Sequence, residues 1–452
     1  MIRVKPSPGW PQSGASIHVV GVAGVGMNAV AQILQARGYA VSGSDRVQQN
    51  NEAESPILET LARQGIAIQP QDGRAVTRET GALVISSAIE PDNPDLIAAQ
   101  GVGVPVFHRA EALAAAIGGD RCIAVAGTSG KTTVTGMLGW LLTELGISPN
   151  VVNGGGILNW KSADDPGNVR ITGSEWWVIE VDESDRSLLQ FRPEWALINT
   201  ISRDHFGLEE TVDLFVQFAG QVKRGVLCGP GVEERLAGRV AGTAELSSVK
   251  EISAFPVPLR LPGRHNLANV RMAVALCEAL GYAAAQVLEL LPRFEGIERR
   301  LERVGQGGGI TVYDDYAHNP AKIEAAWSAV AEEADRVLGV WRPHGYGPLE
   351  AMQEDLVALF ERTCCSGDIL YLLPVYYAGG TANKRVHSEA LAHRLMKKNL
   401  SVHYCRDYEE LETELIRVAR SGDAVLCMGA RDPHLPVFAR LLAKRLKSIA
   451  AG

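Results

Sequence analysis

The stretch Ala126-Gly-Thr-Ser-Gly-Lys-Thr-Thr133 places glycines, hydroxyls and one lysine between an apolar run and a helical one. Glycines let backbone amides turn toward anionic oxygens, and the helix that follows adds the partial positive charge of its N-terminus. Gly127, Thr128, Ser129 and Gly130 would cradle phosphates, with Thr133 beside them. Lys131 would reach the outer phosphates, and the Thr132 hydroxyl would ligate Mg²⁺. The full phosphate-loop pattern has a glycine six residues before the lysine. Val125 stands there, so the loop is a shortened G-x-x-G-K-T form. It predicts an ATP or GTP site.

Such a site needs acidic ligands for its metal. Trp176-Trp-Val-Ile-Glu-Val-Asp-Glu-Ser-Asp185 runs from an apolar strand into Glu180, Asp182, Glu183 and Asp185. Carboxylates at the C-terminal end of a parallel strand face the same crevice as a phosphate loop. Glu180, still within the strand, reads as a metal ligand; Asp185 reads equally as a solvated acidic turn. Ile198-Asn-Thr-Ile-Ser-Arg-Asp-His205 is a second strand leading to an imidazole that reads either as a ligand for a second Mg²⁺ or as a packed or surface histidine.

Near the N-terminus, Gly24-Val25-Gly26-Met27-Asn28-Ala29 opens a helix after a strand. Asp45 closes the next strand, near the distance of a ribose-binding acid in a dinucleotide fold. Recognition by backbone amides accepts any diphosphate, so NAD and a nucleotide-sugar diphosphate fit equally. Ser86 and Ser87, at the end of a later strand, offer a second wall. Arg109 either adds a cation for phosphate or caps the helix that follows.

These residues need elements to hold them. The 452 residues favour about three domains at roughly 150 residues each. Apolar residues make up 46% and charged ones 21%, a globular composition. Forty-four basic against fifty-two acidic side chains give a net charge of −8, and no basic block suggests nucleic-acid binding. No apolar run approaches the ~18 residues of a membrane helix, and residues 1–16 read as a loose arm without a signal core. Seven cysteines without CxxC or zinc spacing point to reduced thiols and a cytoplasmic protein. Adjacent Cys364 and Cys365 read as packing residues. Strands are expected at 16–21, 39–44, 82–86, 122–126, 176–181, 196–200, 310–313, 336–340, 369–374, 402–405 and 424–428. Helices are expected at 25–36, 132–145 and 267–280, then near 321–333, 350–361, 387–397, 408–420 and 434–447. This alternation implies α/β architecture with parallel sheets covered on both faces. A hinge is expected at 116–120, and a second boundary near the glycine run 304–309, which favours open backbone over packing.

Taken in order, the motifs resemble the Mur ligase family, the ATP-dependent amide-bond-forming enzymes of peptidoglycan precursor synthesis. The matching landmarks are Gly21–Gly26 with Met27, Gly43-Ser-Asp45, Ser86-Ser-Ala-Ile89, Arg109-Ala-Glu111, Gly127–Thr133, Glu180–Asp185 and Asp204-His205. They continue through Gly263-Arg-His-Asn266, the Arg299-Arg300 pair, Asp314-Asp-Tyr-Ala-His-Asn-Pro320 and Val375-Tyr-Tyr-Ala378. The resemblance implies a Rossmann-like UDP-sugar domain at 1–118, a central phosphate-loop ATPase domain at 119–304, and a Rossmann-like C-terminal domain at 305–452 that binds the incoming amino acid and closes over ATP. It implies UDP-N-acetylmuramate, an amino acid, ATP and Mg²⁺ as ligands, and a monomer or homodimer. Lys131, Glu180, His205, Asp315 and His318 would form the catalytic set, with Thr132, Glu180 and His205 on metal. His265, Asn266, Arg300 and Asp315 would bind ATP. Gly24, Val25, Gly26, Met27, Asp45, Ser86, Ser87 and Arg109 would bind the UDP-sugar, and Tyr316 and His344 the amino acid.

The resemblance also implies that relatives using a carbamylated lysine carry it about fifteen residues after the equivalent of His205; Gly220 stands there, which fits the alanine-adding branch. Two departures stand out. Ser129 replaces the usual histidine before the loop Gly-Lys. In Arg342-Pro-His-Gly-Tyr-Gly-Pro-Leu349, Gly345 and Pro348 occupy the places of arginines that hold the amino acid's carboxylate, and neither can make an anion clamp. Arg342 or Lys384 would then take that task, or the second substrate is another amino acid or a peptide. A dehydrogenase leaves the Lys131 loop without purpose. A nucleotide switch leaves 314–320 without one.

Overall fold

The computed structural model describes residues 9–48, 55–203, 206–242, 244–250, 252, 254–377 and 387–451. Asp204, His205 and Lys384 lie outside them, as do the first half of the N-terminal arm and residues 378–386. Three α/β domains each carry one sheet, and the chain divides into two compact units. The first unit is Met1–Leu259 with Leu267–Gly296; the second is Arg260–Asn266 with Ile297–Gly452.

The first sheet is parallel, with strands β1 (Ser16–Val20), β2 (Ala40–Ser44), β3 (Ala67–Gln69), β4 (Thr80–Ile85) and β5 (Val106–His108) in the order 3-2-1-4-5. Helices α1 (Val25–Ala36), α2 (Pro56–Arg63), α3 (Pro94–Val102) and α4 (Arg109–Ile117) connect them. His108 starts α4 with a capping box, its ring accepting from Ala110 N–H while Glu111 accepts from the His108 amide. Arg109 thereby sits on the first turn of a fixed helix. The expected hinge at 116–120 is the tight passage from α4 into the second sheet.

That sheet holds β6 (Arg121–Ala126), β7 (Asn150–Val152), β8 (Val169–Arg170), β9 (Trp176–Glu180), β10 (Trp195–Ile198), β11 (Gly225–Cys228) and β12 (Glu245–Ser248), in the order 12-11-10-6-9-7-8. Around it run α5 (Lys131–Glu144), α6 (Leu208–Ala219), α7 (Glu233–Leu236), α8 (Arg264–Ala279, whose first turn belongs to the second unit) and α9 (Ala284–Leu290). Within the first unit, one apolar core runs continuously from Trp10 to Leu236 across both sheets. Strands buried on both faces explain why β6 and β9 read as unbroken apolar runs.

The third sheet has the order 13-14-18-15-16-17, from β13 (Glu302–Gly307), β14 (Ile310–Asp315), β15 (Arg336–Trp341), β16 (Ile369–Leu372), β17 (Val402–Tyr404) and β18 (Asp423–Met428). Its helices are α10 (Pro320–Ala331), α11 (Tyr346–Thr363), α12 (Ser388–Met396), α13 (Tyr408–Val418) and α14 (His434–Ala451). Asn319 caps α10 by accepting from Lys322 N–H, and Pro320 presets its first turn.

One expectation fails here. The glycine run at 304–309 is not open backbone: β13 pairs antiparallel with β14 through a tight turn at Gly308 and Gly309. The glycines serve close packing. A Cβ on Gly305 would stand 2.7 Å from Cβ of Ala443 on α14, and one on Gly307 would overlap the Lys447 backbone. Without side chains, the strand admits the helix directly onto its backbone. The hairpin and the β7–β8 pair are the antiparallel exceptions to the expected parallel sheets. Among the described residues, no helix is long and apolar enough to cross a membrane.

Candidate active site

The phosphate loop joins β6 to α5, as its sequence predicts. Strands β9 and β10 flank β6 in parallel register, pairing Val125 with Glu180 and Ala126 with Ile198. The ends of all three strands therefore meet at the loop. Gly130, at φ 81°, is the N-cap of α5; a Cβ there would run into the side chains of Asn269 and Asn199. Only glycine meets both the left-handed backbone and this contact.

Lys131 Nζ donates to Gly127 O at 2.8 Å and to Glu183 Oε2 at 2.7 Å. Asp182 Oδ1 lies 3.8 Å away. Burial alone would lower the lysine's pKa, but the carboxylates of Glu183, Asp182 and Glu180 together raise it, so the ammonium stays charged. Thr132 Oγ1 donates to Glu180 Oε1 at 3.1 Å, and Glu180 Oε2 accepts from Gly154 N–H at 2.7 Å. A hydroxyl and a carboxylate, both oxygen donors and adjacent, fit Mg²⁺, which takes few protein ligands and keeps several waters. Among the described residues, no group of three or more His, Cys, Asp or Glu side chains forms a softer metal cage.

The loop's other wall comes from residues that the sequence pattern did not single out. Ser129 N–H donates to Thr200 Oγ1 at 3.0 Å, and the Thr128 and Ser202 hydroxyls are 2.8 Å apart. Asn199 Nδ2 donates to Asn269 Oδ1 at 3.3 Å directly beneath Gly130. Polar Asn199 and Thr200, coming straight after a buried strand, were the available signal; Asn269, inside a helix, gave none. Thr133 is buried in the first turn of α5.

Among the four acids, the structure separates the roles. Glu180 faces Thr132, and Glu183 faces Lys131. Asp185 is no solvated turn: it accepts from Arg109 Nη2 at 3.0 Å and lies 3.5 Å from His108 Nε2. Arg109 also reaches Asp182 at 3.7 Å, while its guanidinium lies against Gly26. It therefore links the first glycine loop to the acidic run.

At that first loop, Gly24 is the N-cap of α1 and Val25 is exposed. Asp45 is turned inward. Its carboxylate accepts from Ala23 N–H at 2.9 Å and Val47 N–H at 3.1 Å, clasping the loop. Met27, expected against a ligand, is only 4% exposed and packs in the core, and its amide donates to Gly24 O at 2.9 Å. It builds the loop from behind. Ser86 Oγ accepts from Ala88 N–H at 3.4 Å in a turn that leaves Ser87 exposed.

In the second unit, Asp315 is committed to the backbone, accepting from Leu301 N–H and Ala317 N–H at 2.7 Å each. Glu302 accepts from Arg299 N–H at 2.9 Å. These two acids pin a turn in which Arg299 and Leu301 adopt positive φ. The guanidinium carbons of Arg299 and Arg300 lie 5.1 and 5.3 Å from the Tyr316 ring centroid. His318 and His344 meet edge to face, with centroids 5.3 Å apart. His318 Nδ1 lies 3.0 Å from Tyr316 O; a carbonyl only accepts, so Nδ1 carries the proton and Nε2 is the acceptor. Burial depresses the His318 pKa to about 4, with Lys322, His344 and Arg300 adding to the effect. His344 is lowered by burial and then by the charge of Arg431. Both rings are neutral near pH 7. His265 and Asn266 fall in the short Arg260–Asn266 segment; burial lowers the His265 pKa, and Asn266 Nδ2 donates to Pro262 O at 2.7 Å.

Arg342, one candidate for the carboxylate clamp, is held by groups of its own domain. Nη1 pairs with Asp432 Oδ2 at 2.5 Å and reaches Tyr408 OH at 3.2 Å, while Nε donates to Pro374 O at 3.2 Å.

Comparison with known proteins gives a consistent result. The family model described as "Mur ligase family, catalytic domain" matches residues 16–121, and that described as "Mur ligase, glutamate ligase domain" matches 299–431. A UDP-N-acetylmuramate--L-alanine ligase of Gloeobacter violaceus is 34% identical over 451 residues, covering 92% of this chain and 94% of that protein. One from Sinorhizobium medicae is 32% identical, covering 98% and 99%. The crystal structure of UDP-N-acetylmuramate-alanine ligase from Thermotoga maritima has the same fold, with a TM-score of 0.75 at 24% identity, covering 96% of this chain and 99% of that one. A murein peptide ligase from Psychrobacter arcticus follows at 0.66 and 20%, again covering 96% and 99%.

Proposed function

The chain belongs to the Mur ligase family, and from that premise we propose that it joins the carboxylate of UDP-N-acetylmuramate to the amine of L-alanine, with cleavage of ATP to ADP and phosphate. The observation that carries this reading is the end-to-end identity with UDP-N-acetylmuramate--L-alanine ligases, together with an intact Lys131, Thr132 and Glu180 constellation. The dehydrogenase alternative falls with the family assignment. We assign the UDP-sugar to residues 1–118, ATP to 119–304 and the amino acid to 305–452.

The chemistry follows from the groups present. A carboxylate is a poor electrophile, so its oxygen attacks the γ-phosphorus of ATP while the bond to the β-phosphate oxygen breaks toward ADP. The amine then attacks the acyl carbon of the resulting acyl phosphate, loses a proton, and the carbon–oxygen bond breaks to release phosphate. Lys131 offsets negative charge gathering on the transferred phosphoryl group, and the loop amides orient it. Thr132 and Glu180 would hold Mg²⁺, which supplies Lewis-acid neutralisation of phosphate charge. His318 Nε2, a neutral acceptor, is suited to receive a hydrogen bond from the incoming amine. Reduced cysteines, all seven free and four of them fully or almost fully buried, accord with a cytoplasmic setting where ATP and UDP-sugars occur.

The test is an ADP-release screen with UDP-N-acetylmuramate and each common amino acid and short peptide, the product identified by mass. L-Alanine is expected to support release. No release with any amine, alongside tight NADH binding, would defeat the reading. Gly345 and Pro348 favour a second reading, a peptide or different amino acid as amine donor, and the same screen separates the two.

Asp45 yields its own prediction. Asp45→Ala removes the acceptor of the Ala23 amide in the glycine loop and of the Val47 amide in the turn after β2, so the UDP-sugar should bind about tenfold more weakly while ATP affinity holds. Separate titrations of the two ligands check this; a matching loss for ATP would show general damage.

A further inference from the structure

Three neighbouring strands of the third sheet end on one rung. Asp315 of β14, Met428 of β18 and Trp341 of β15 stand in parallel register. Three residues beyond them come His318, Arg431 and His344, and the strand order puts the Arg431 loop in the middle. The two imidazoles meet with their centroids 5.3 Å apart and are uncharged near pH 7, and the charge of Arg431 acts on His344.

Other cations near this rung are committed. Arg342 is held by Asp432. Arg299 pairs with Asp314 at 3.3 Å and donates to the carbonyls of Gly429 and Ala430. Arg300 lies over Tyr316, and Lys322, which also bears on His318, has a partner of its own. Arg431 is exposed and has no ion-pair or hydrogen-bond partner among the described residues. The neighbouring turn cannot supply the missing charge. Gly345 has φ 76°, where an arginine would be strained, and Pro348 has no side-chain donor. The turn itself is fixed, because Gly345 N–H donates to Tyr376 O at 2.9 Å and Tyr376 N–H to Pro343 O at 2.8 Å.

We infer that Arg431 binds the α-carboxylate of the incoming amino acid, so that anion recognition in this chain comes from the loop after β18 instead of the loop after β15. The guanidinium fork matches a carboxylate in two-point geometry. With His318 Nε2 free to accept from the amine, the rung recognises both ends of an amino acid. This assignment rests on the ligase reading above and deepens it.

The experiment measures ADP release by the full chain with UDP-N-acetylmuramate, varying L-alanine or L-alaninamide. Arg431→Ala is expected to raise KM for L-alanine about a hundredfold, the loss falling in KM more than in kcat. KM for ATP and for the UDP-sugar should hold, and the preference for the acid over the carboxamide should vanish. Arg431→Lys should recover part of the affinity. An unchanged KM and an undiminished acid preference in Arg431→Ala overturn the assignment while the ligase reading stands. A wild-type chain inactive with every amino acid and peptide removes the ligase reading itself. If a peptide proves to be the donor, that peptide and its C-terminal amide take the place of L-alanine and L-alaninamide.

Discussion

Lys131→Ala is expected to reduce ADP release about a thousandfold while leaving UDP-sugar binding nearly intact. The lysine is the cation that the loop aims at the outer phosphates, and among the described residues no other basic side chain shares its contacts with Gly127 O and Glu183. The same substitution also affects stability. The Glu183 side chain is only 3% exposed, so deleting its partner strands a buried carboxylate, a change that typically costs about 3–5 kcal/mol. The double variant Lys131→Ala, Glu183→Gln should therefore melt closer to wild type and remain inactive. That pairing separates chemistry from folding. Ordinary turnover in the single variant would refute the phosphate-loop assignment, and turnover regained in the double variant would show the lysine to be structural.

Glu180→Gln should lower turnover about a hundredfold and move the Mg²⁺ requirement to higher concentration. Glutamine keeps the size of the side chain and an oxygen that can still accept from Gly154 N–H, so the fold should be little disturbed. What it loses is the negative charge beside the Thr132 hydroxyl. A Mg²⁺ titration of ADP release checks this directly. Identical titration curves would mean that Glu180 merely braces the Gly154 turn.

Much of this site is legible in the sequence because short motifs carry their own geometry. A strand, a glycine loop and a helix in succession place Lys131 and Thr132 without knowledge of the rest of the chain. Glu180 follows because a parallel sheet brings strand ends together. What escaped depends on distant contacts. Asn269 meets Asn199 under Gly130 only because a helix seventy residues further on packs there. Asp45 and Asp315 look like ligand-binding acids, yet each is occupied by two backbone amides. Composition cannot separate a carboxylate that touches a ligand from one that shapes the loop that does. Whether Arg342 is available is hidden in the sequence for the same reason, since its partners Asp432 and Tyr408 come from other strand ends. The run at 304–309 was misread because glycine serves both slack chain and the tightest packing, and only the opposing helix decides between them.

That packing governs how the chain tolerates shortening. β13 is the outermost strand of its sheet, and α14 is seated on its bare backbone at Ala443 and Lys447. A protein trimmed back before Ala443 would bare the apolar face of β13 and β14 and gain a site for self-association.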